Sequence, residues 1–116
     1  MANLSTIEKK RNIVLPDLYK EFYRQCIDIV PAKLIGTDLI NDDEELTSHA
    51  ADLLEEQGIA NFLHNNDFVF MMHQGYMFWY FNADGNPDPV VYSYYEGKPI
   101  SHKLGLLSDF IKEVSA

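Results

Sequence analysis

Three runs, Phe68 to His73, Tyr76 to Asn82 and Pro89 to Tyr95, are dense in aromatic and β-branched residues and are separated by turn formers. They read as three consecutive strands. In the first two, both alternating faces are apolar: Phe68, Phe70 and Met72 oppose Val69 and Met71, and Tyr76, Phe78 and Tyr80 oppose Met77, Trp79 and Phe81. A strand apolar on both sides needs cover on both. Helices can cover one face, so the other is either packed as well or left as an exposed aromatic patch, which would mark a binding surface. With short connections, an antiparallel meander from about Phe68 to Tyr95 is the simplest arrangement.

The helical cover is legible on both sides of these runs. Ser5-Thr6-Ile7-Glu8 has the Ser-x-x-Glu form of a capping box and predicts a short peripheral helix from Ser5 toward Arg11. Leu15, Leu18, Tyr19, Phe22 and Cys26 recur at three- and four-residue spacing behind Pro16, a residue favoured at a first helical position, so residues 16–26 are expected to form a helix with one face inward. A second long helix is expected from a cap at Asn41, with Glu44 at its third position, through Leu46, Ala50, Leu53 and Leu54 to a stop at Gly58. Gly105 is expected to separate the strands from a last helix, capped by Ser108, that buries Leu107, Phe110, Ile111 and Val114. The 116 residues, 47% of them hydrophobic, suffice for one core, so residues 1–116 read as one domain. Its class is α+β, a central, mostly antiparallel sheet flanked by N-terminal and C-terminal helices.

Charge is distributed by region. Between Leu34 and Gly97 there is no lysine or arginine, while twelve of the carboxylates and eleven of the fifteen aromatic residues fall there. Residues 1–33 carry +2, residues 34–97 carry −12 and residues 98–116 carry +1, giving the −9 of the whole chain. A field of one sign repels nucleic acid and anionic lipid and speeds encounter with a cationic protein surface. Asp42, Asp43, Glu44 and Glu45 fall in the first turn of the second helix, where the positive end of the helix dipole also favours them. These four, with Glu55, Glu56 and Glu96, are the acidic candidates for contact with a basic partner. Tyr76, Trp79, Tyr92 and Tyr94 are the aromatic ones.

Little in the chain points to chemistry. Asn82, Asp84, Asn86 and Asp88 alternate like the first ligands of a calcium loop, but Pro87 stands where that loop needs glycine and Ser93 where it needs its closing glutamate. They read instead as a connection rich in turn residues. His49, His64, His73 and His102 have no partner at metal-ligand spacing, and no metal or cofactor is expected. His73, at a strand end, has two readings: a general base, or a residue that holds a turn by a local hydrogen bond. Neither Cys26 nor any serine sits in a nucleophile motif. A lone cysteine fits a reducing compartment, and the N-terminus lacks the pattern of a secretion signal. No apolar run approaches the roughly 20 residues that span a bilayer. The expectation is a soluble cytoplasmic protein. Aromatic strands that stack bases are interleaved with basic residues, which are missing here, so a nucleic-acid partner is not expected.

The run His73-Gln74-Gly75-Tyr76-Met77-Phe78-Trp79-Tyr80-Phe81, followed by Asp88-Pro89-Val90-Val91-Tyr92-Ser93-Tyr94-Tyr95-Glu96-Gly97, resembles the SUKH superfamily, also called the Smi/Knr family. Leu15-Pro16 with Tyr19 and Phe22 is similar to its N-terminal helix signature, and Leu107-Ser108-Asp109-Phe110-Ile111 to its closing helix. The motifs occur in family order over roughly residues 13–114. Asp28-Ile29-Val30-Pro31-Ala32 departs from the pattern, replacing a step that is glycine-rich in many members, and Val91 stands where a proline-type or aromatic residue is common. The resemblance implies an α+β protein-binding module without catalytic residues. In many bacterial members it implies an immunity protein that binds and blocks a toxin, often a nuclease. A housekeeping scaffolding or regulatory domain of the same fold is the alternative, and a small-ligand enzyme using a cleft beside His73, Tyr76 and Tyr92 is a third reading.

Overall fold

The three aromatic runs form the centre of an antiparallel sheet in the computed structural model, which describes residues 4–35, 37–39, 45–98 and 101–115. The elements, in order, are α1 (Leu4–Arg11), α2 (Asp17–Asp28), a 3-10 turn (Ala32–Leu34), β1 (Thr37–Leu39), α3 (Glu45–Glu56), β2 (Asp67–His73), β3 (Met77–Asn82), β4 (Val90–Tyr95), β5 (His102–Leu106) and α4 (Leu107–Ser115). The strands lie side by side in the order β1-β2-β3-β4-β5, and every neighbouring pair is antiparallel. The expected meander is its middle, and the class is α+β. Two strands go beyond the sequence reading. The three residues of β1 are too few to show a period. β5 contains Gly105, expected as a boundary, which instead pairs with Val91 at φ 133° beside a shift in register. A bulge in an edge strand tolerates glycine where a regular strand does not.

Register decides what each face carries, because directly opposed residues of antiparallel strands point the same way. Phe68, Phe81 and Val91 share one face with Met71, Trp79 and Ser93; Val69, Tyr80 and Tyr92 share the other with Met72, Phe78 and Tyr94. Helices α2 and α4 cover the first. Tyr19 of α2 meets Phe68, Phe70 and Phe81 edge to face at 5.3, 5.8 and 5.5 Å between ring centres, and Phe110 of α4 lies 5.6 Å from Phe70. The second face is covered by α3 and the connector after it, whose Phe62 lies 6.4, 5.9 and 5.9 Å from Phe78, Tyr80 and Tyr94. Phe68 through Met72 are consequently buried without a break. Of the two arrangements open to a doubly apolar strand, the chain adopts the sandwich.

Helix ends follow local chemistry, with two corrections. α1 closes at Asn12 in the left-handed region, φ 55°, with Ile13 N–H donating to the Glu8 carbonyl at 3.1 Å. α3 closes as expected at Gly58, φ 69°, where Gly58 and Ile59 donate back to the Glu55 and Leu54 carbonyls. Both satisfy carbonyls a helix end would otherwise leave free. The expected cap of α3 at Asn41, with Glu44, lies outside the described residues. Pro16 proves to be the residue before α2 and not its first. At α4 the cap is not the Ser108 side chain. The helix begins at Leu107, straight out of β5, and the Asp88 carboxylate accepts from Ser108 N–H at 2.9 Å and from Ser108 Oγ–H at 2.7 Å. A carboxylate borrowed from the β3–β4 connection thus fills the role that nearest-neighbour reading gave to serine.

Candidate protein-binding surface

At one end of the sheet the β2–β3 and β4–β5 turns lie together. His73-Gln74-Gly75-Tyr76 closes with Tyr76 N–H donating to the His73 carbonyl at 3.2 Å, and Gln74 and Gly75 both have positive φ, 49° and 79°. Two positive angles at the centre of the turn suit the twist of a hairpin, and glycine adopts them without strain. The turn fixes Tyr76 edge to face between the rings of His73, 5.5 Å away, and Tyr95, 5.4 Å away. Glu96 N–H then donates to the Tyr76 carbonyl at 2.9 Å, and Gly97 N–H to Gln57 Oε1 at 3.0 Å. Because Gln57 follows α3 directly, the exposed Glu55 and Glu56 of its last turn stand beside the turn that carries exposed Glu96. Four sequence candidates, Tyr76, Glu96, Glu55 and Glu56, come to one end of the molecule. Tyr95, 48% exposed, joins them. Sequence alone does not separate it from Tyr92 and Tyr94, because three tyrosines within four positions of one strand look alike until register fixes their faces.

The other candidates are dispersed. Tyr94 is a correction: at 0% exposure it is core, since its face is the one Phe62 covers, and it presents nothing to a partner. Trp79 and Tyr92 are half-buried on opposite faces. Trp79 floors a cleft of about 430 Å³ with Met71 and Met77, walled by Ile35, Leu104 and Phe110. Tyr92 lines a second, of about 560 Å³, with Phe62, His64, Asp67 and Tyr80. The small-ligand cleft expected beside His73, Tyr76 and Tyr92 therefore does not form. His73 belongs to the Trp79 cleft, and its Nδ1 lies 3.4 Å from Thr37 Oγ1 of β1. That hydrogen bond ties down an edge strand, where a turn was expected. Asp42, Asp43 and Glu44 lie outside the described residues, as does the side chain of Glu45.

The calcium-like alternation resolves into turn chemistry. Asp84 Oδ1 accepts from Asn86 N–H at 3.1 Å, Asn86 Oδ1 from Asp88 N–H at 3.0 Å, Asn82 donates to Asp67, and Asp88 holds α4. Among the described residues no group of histidine, cysteine, aspartate and glutamate has the arrangement of a metal site. Cys26 is buried, and burial pushes its thiol up, away from the nucleophilic thiolate.

A model of the SMI1 / KNR4 family (SUKH-1) matches residues 2–113. The chain belongs to that family. No curated protein and no solved structure matched it. In this SUKH-1 domain the segments that carried the resemblance are the structural ones: α2, the β2–β4 meander and α4. The departure at Asp28–Ala32 falls where α2 gives way to the 3-10 turn, and leaves Ile29 exposed. Among the described residues no helix of the SUKH-1 domain is long and apolar enough to cross a membrane.

Proposed function

We propose that this SUKH-1 domain is a non-enzymatic protein-binding module working in the cytoplasm as an immunity protein, which neutralises a basic bacterial toxin, a nuclease in the first instance, by one-to-one binding. One observation carries the reading: 64 consecutive residues, 34–97, hold twelve carboxylates and no lysine or arginine. The turn end of the sheet supports it, for the exposed Glu55, Glu56 and Glu96 lie at the same end of the molecule as Tyr76 and Tyr95. Nucleases present basic surfaces to a polyanion. A carboxylate-rich face accelerates encounter with such a surface, and tyrosines supply anchoring contact at little cost in side-chain entropy. Asp42, Asp43, Glu44 and Glu45 extend the same charge along the chain.

The test is functional as well as physical. A basic protein retained by the tagged domain at low salt is purified and titrated by calorimetry, then expressed in cells with and without the domain. The reading expects one-to-one binding that weakens as salt rises, and growth restored by co-expression. Binding without protection would move the domain to the scaffolding role. A failure to retain any basic protein would remove the basis of the proposal.

A further inference from the structure

The Tyr92 cleft contains a feature that protein binding through the turn end does not use. Asp67, at 6% exposure, is a buried carboxylate on its lining. Register puts it on the same face as its neighbours: Asp67 opposes Asn82, and Val69, Tyr80 and Tyr92 align two residues further along. Burying a charge is costly unless it is hydrogen-bonded and balanced. Oδ2 accepts from His64 N–H at 2.8 Å and Oδ1 from Asn82 Nδ2 at 3.2 Å, which occupies two of the roughly four acceptor positions of a carboxylate. Its charge is felt across the cleft. The Tyr80 hydroxyl is pushed up chiefly by burial, and also by Asp67, against the opposing effect of its 2.8 Å hydrogen bond to Ser101.

Around the carboxylate stand three rings. Tyr80 and Tyr92 are stacked at 5.4 Å with 18° between their planes, and Phe62 closes over Tyr80 at 5.9 Å. No lysine or arginine lines the cleft among the described residues. Lys103 faces Tyr92 across β4 and β5 but is exposed, and Arg11 donates to the main-chain carbonyls of Asn65 and Asp67. A cleft of about 560 Å³ falls within the roughly 300–1,000 Å³ of ordinary ligand sites.

We infer that this cleft receives an arginine side chain of the basic partner, its guanidinium paired with the Asp67 carboxylate and laid against the Tyr92 ring. Aromatic faces attract cations, and a planar guanidinium both stacks on a ring and presents two parallel N–H groups to a carboxylate. An ammonium matches the charge but neither the plane nor the fork. The inference rests on the proposed function for the source of the arginine and on the cleft alone for its chemistry.

The experiment titrates the isotope-labelled protein with N-acetyl-arginine methylamide and, in parallel, with its neutral isostere N-acetyl-citrulline methylamide, followed by amide shifts in NMR. Saturable shifts at His64, Tyr80, Tyr92 and Ser101 are expected with the arginine probe, and binding at least ten-fold weaker with citrulline. Asp67→Asn keeps an acceptor for His64 N–H and is expected to abolish the difference; Tyr92→Leu, on the cleft wall, tests the same point should Asp67→Asn fold poorly. Equal response to both probes, or shifts centred on Trp79, would overturn the assignment. For the captured partner, a ten-fold or greater loss of affinity in Asp67→Asn is expected. Unchanged affinity would refute the arginine anchor while leaving the basic-partner reading standing, whereas a probe that binds a domain with no basic partner would refute that reading and keep the cleft's chemistry.

Discussion

Replacing Asp88 by alanine is expected to destabilise the domain more than replacing Ser108, although serine is the residue that sequence rules place at the start of α4. The Asp88 carboxylate makes two hydrogen bonds to Ser108, one to the main-chain N–H and one to the hydroxyl. Hydrogen bonds to a charged group contribute about 1.5–3 kcal/mol each when well buried, and loss of a cap costs about 0.5–2 kcal/mol. Asp88 is half-buried and its bonds are partly screened by solvent, so the upper end of the capping range sets the scale, and Asp88→Ala should cost about 2 kcal/mol. Ser108→Ala removes the hydroxyl but leaves the main-chain bond, and should cost about 1 kcal/mol. For a chain of 116 residues, 1 kcal/mol corresponds to roughly 4 °C in Tm, so the expected losses are about 8 °C and about 4 °C. Urea unfolding followed by circular dichroism measures the two free-energy losses, with the slope checked for constancy, and thermal unfolding measures the two shifts in Tm. The two changes should also be strongly non-additive, because they share a bond. A Ser108→Ala variant that loses as much as Asp88→Ala, or an Asp88→Ala variant of wild-type stability, would refute the borrowed cap.

Three further outcomes follow from the core and the turns. The Tyr19 hydroxyl is buried with no hydrogen-bond partner among the described residues, so Tyr19→Phe is expected to raise stability by about 1 kcal/mol in calorimetric unfolding; a loss would mean the hydroxyl is engaged. Burial, foremost, holds the Tyr19 and Tyr80 hydroxyls above the ordinary 10.0, so at alkaline pH the folded chain keeps protons that the unfolded chain releases. Stability is therefore complete below about pH 10 and falls as pH rises beyond it, more gently in Tyr19→Phe, and a flat profile from pH 9 to 11 would contradict this. Gly75→Ala places a Cβ where nothing lies within 4 Å but forces φ 79° on a non-glycine residue, so it should cost about 1–2 kcal/mol from backbone strain alone, measured by thermal unfolding.

The fold was largely legible because its dominant signal is local. Alternating aromatic runs specify strands two through four within a residue or two, and Gly58 specifies the end of α3 through the one conformation that glycine tolerates best. Illegible features depend on distant partners. β1 and β5 are edge strands defined by pairing rather than pattern, and Asp88 caps a helix 20 residues away. The site shows the same division. Net charge and tyrosine content are read directly from composition, yet exposure is decided by register. Of Tyr92, Tyr94 and Tyr95, one lines a cleft, one is core and one is open to solvent. A shared aromatic segment suggests that His73 and Tyr92 are neighbours, whereas strand alternation places them on opposite faces. In the sequence Asp67 is one carboxylate among many, marked only by its position at the head of an aromatic run.

The most direct test of the account is a quantitative comparison of what the tagged wild-type protein and a Glu55→Lys, Glu56→Lys, Glu96→Lys variant retain from the same cell and secreted fractions at low salt. A basic protein held in near-equimolar amount by the wild type and lost from the variant is expected, with both proteins equally folded by circular dichroism. Identical retention by the two, or a wild-type partner that is itself acidic, would contradict it.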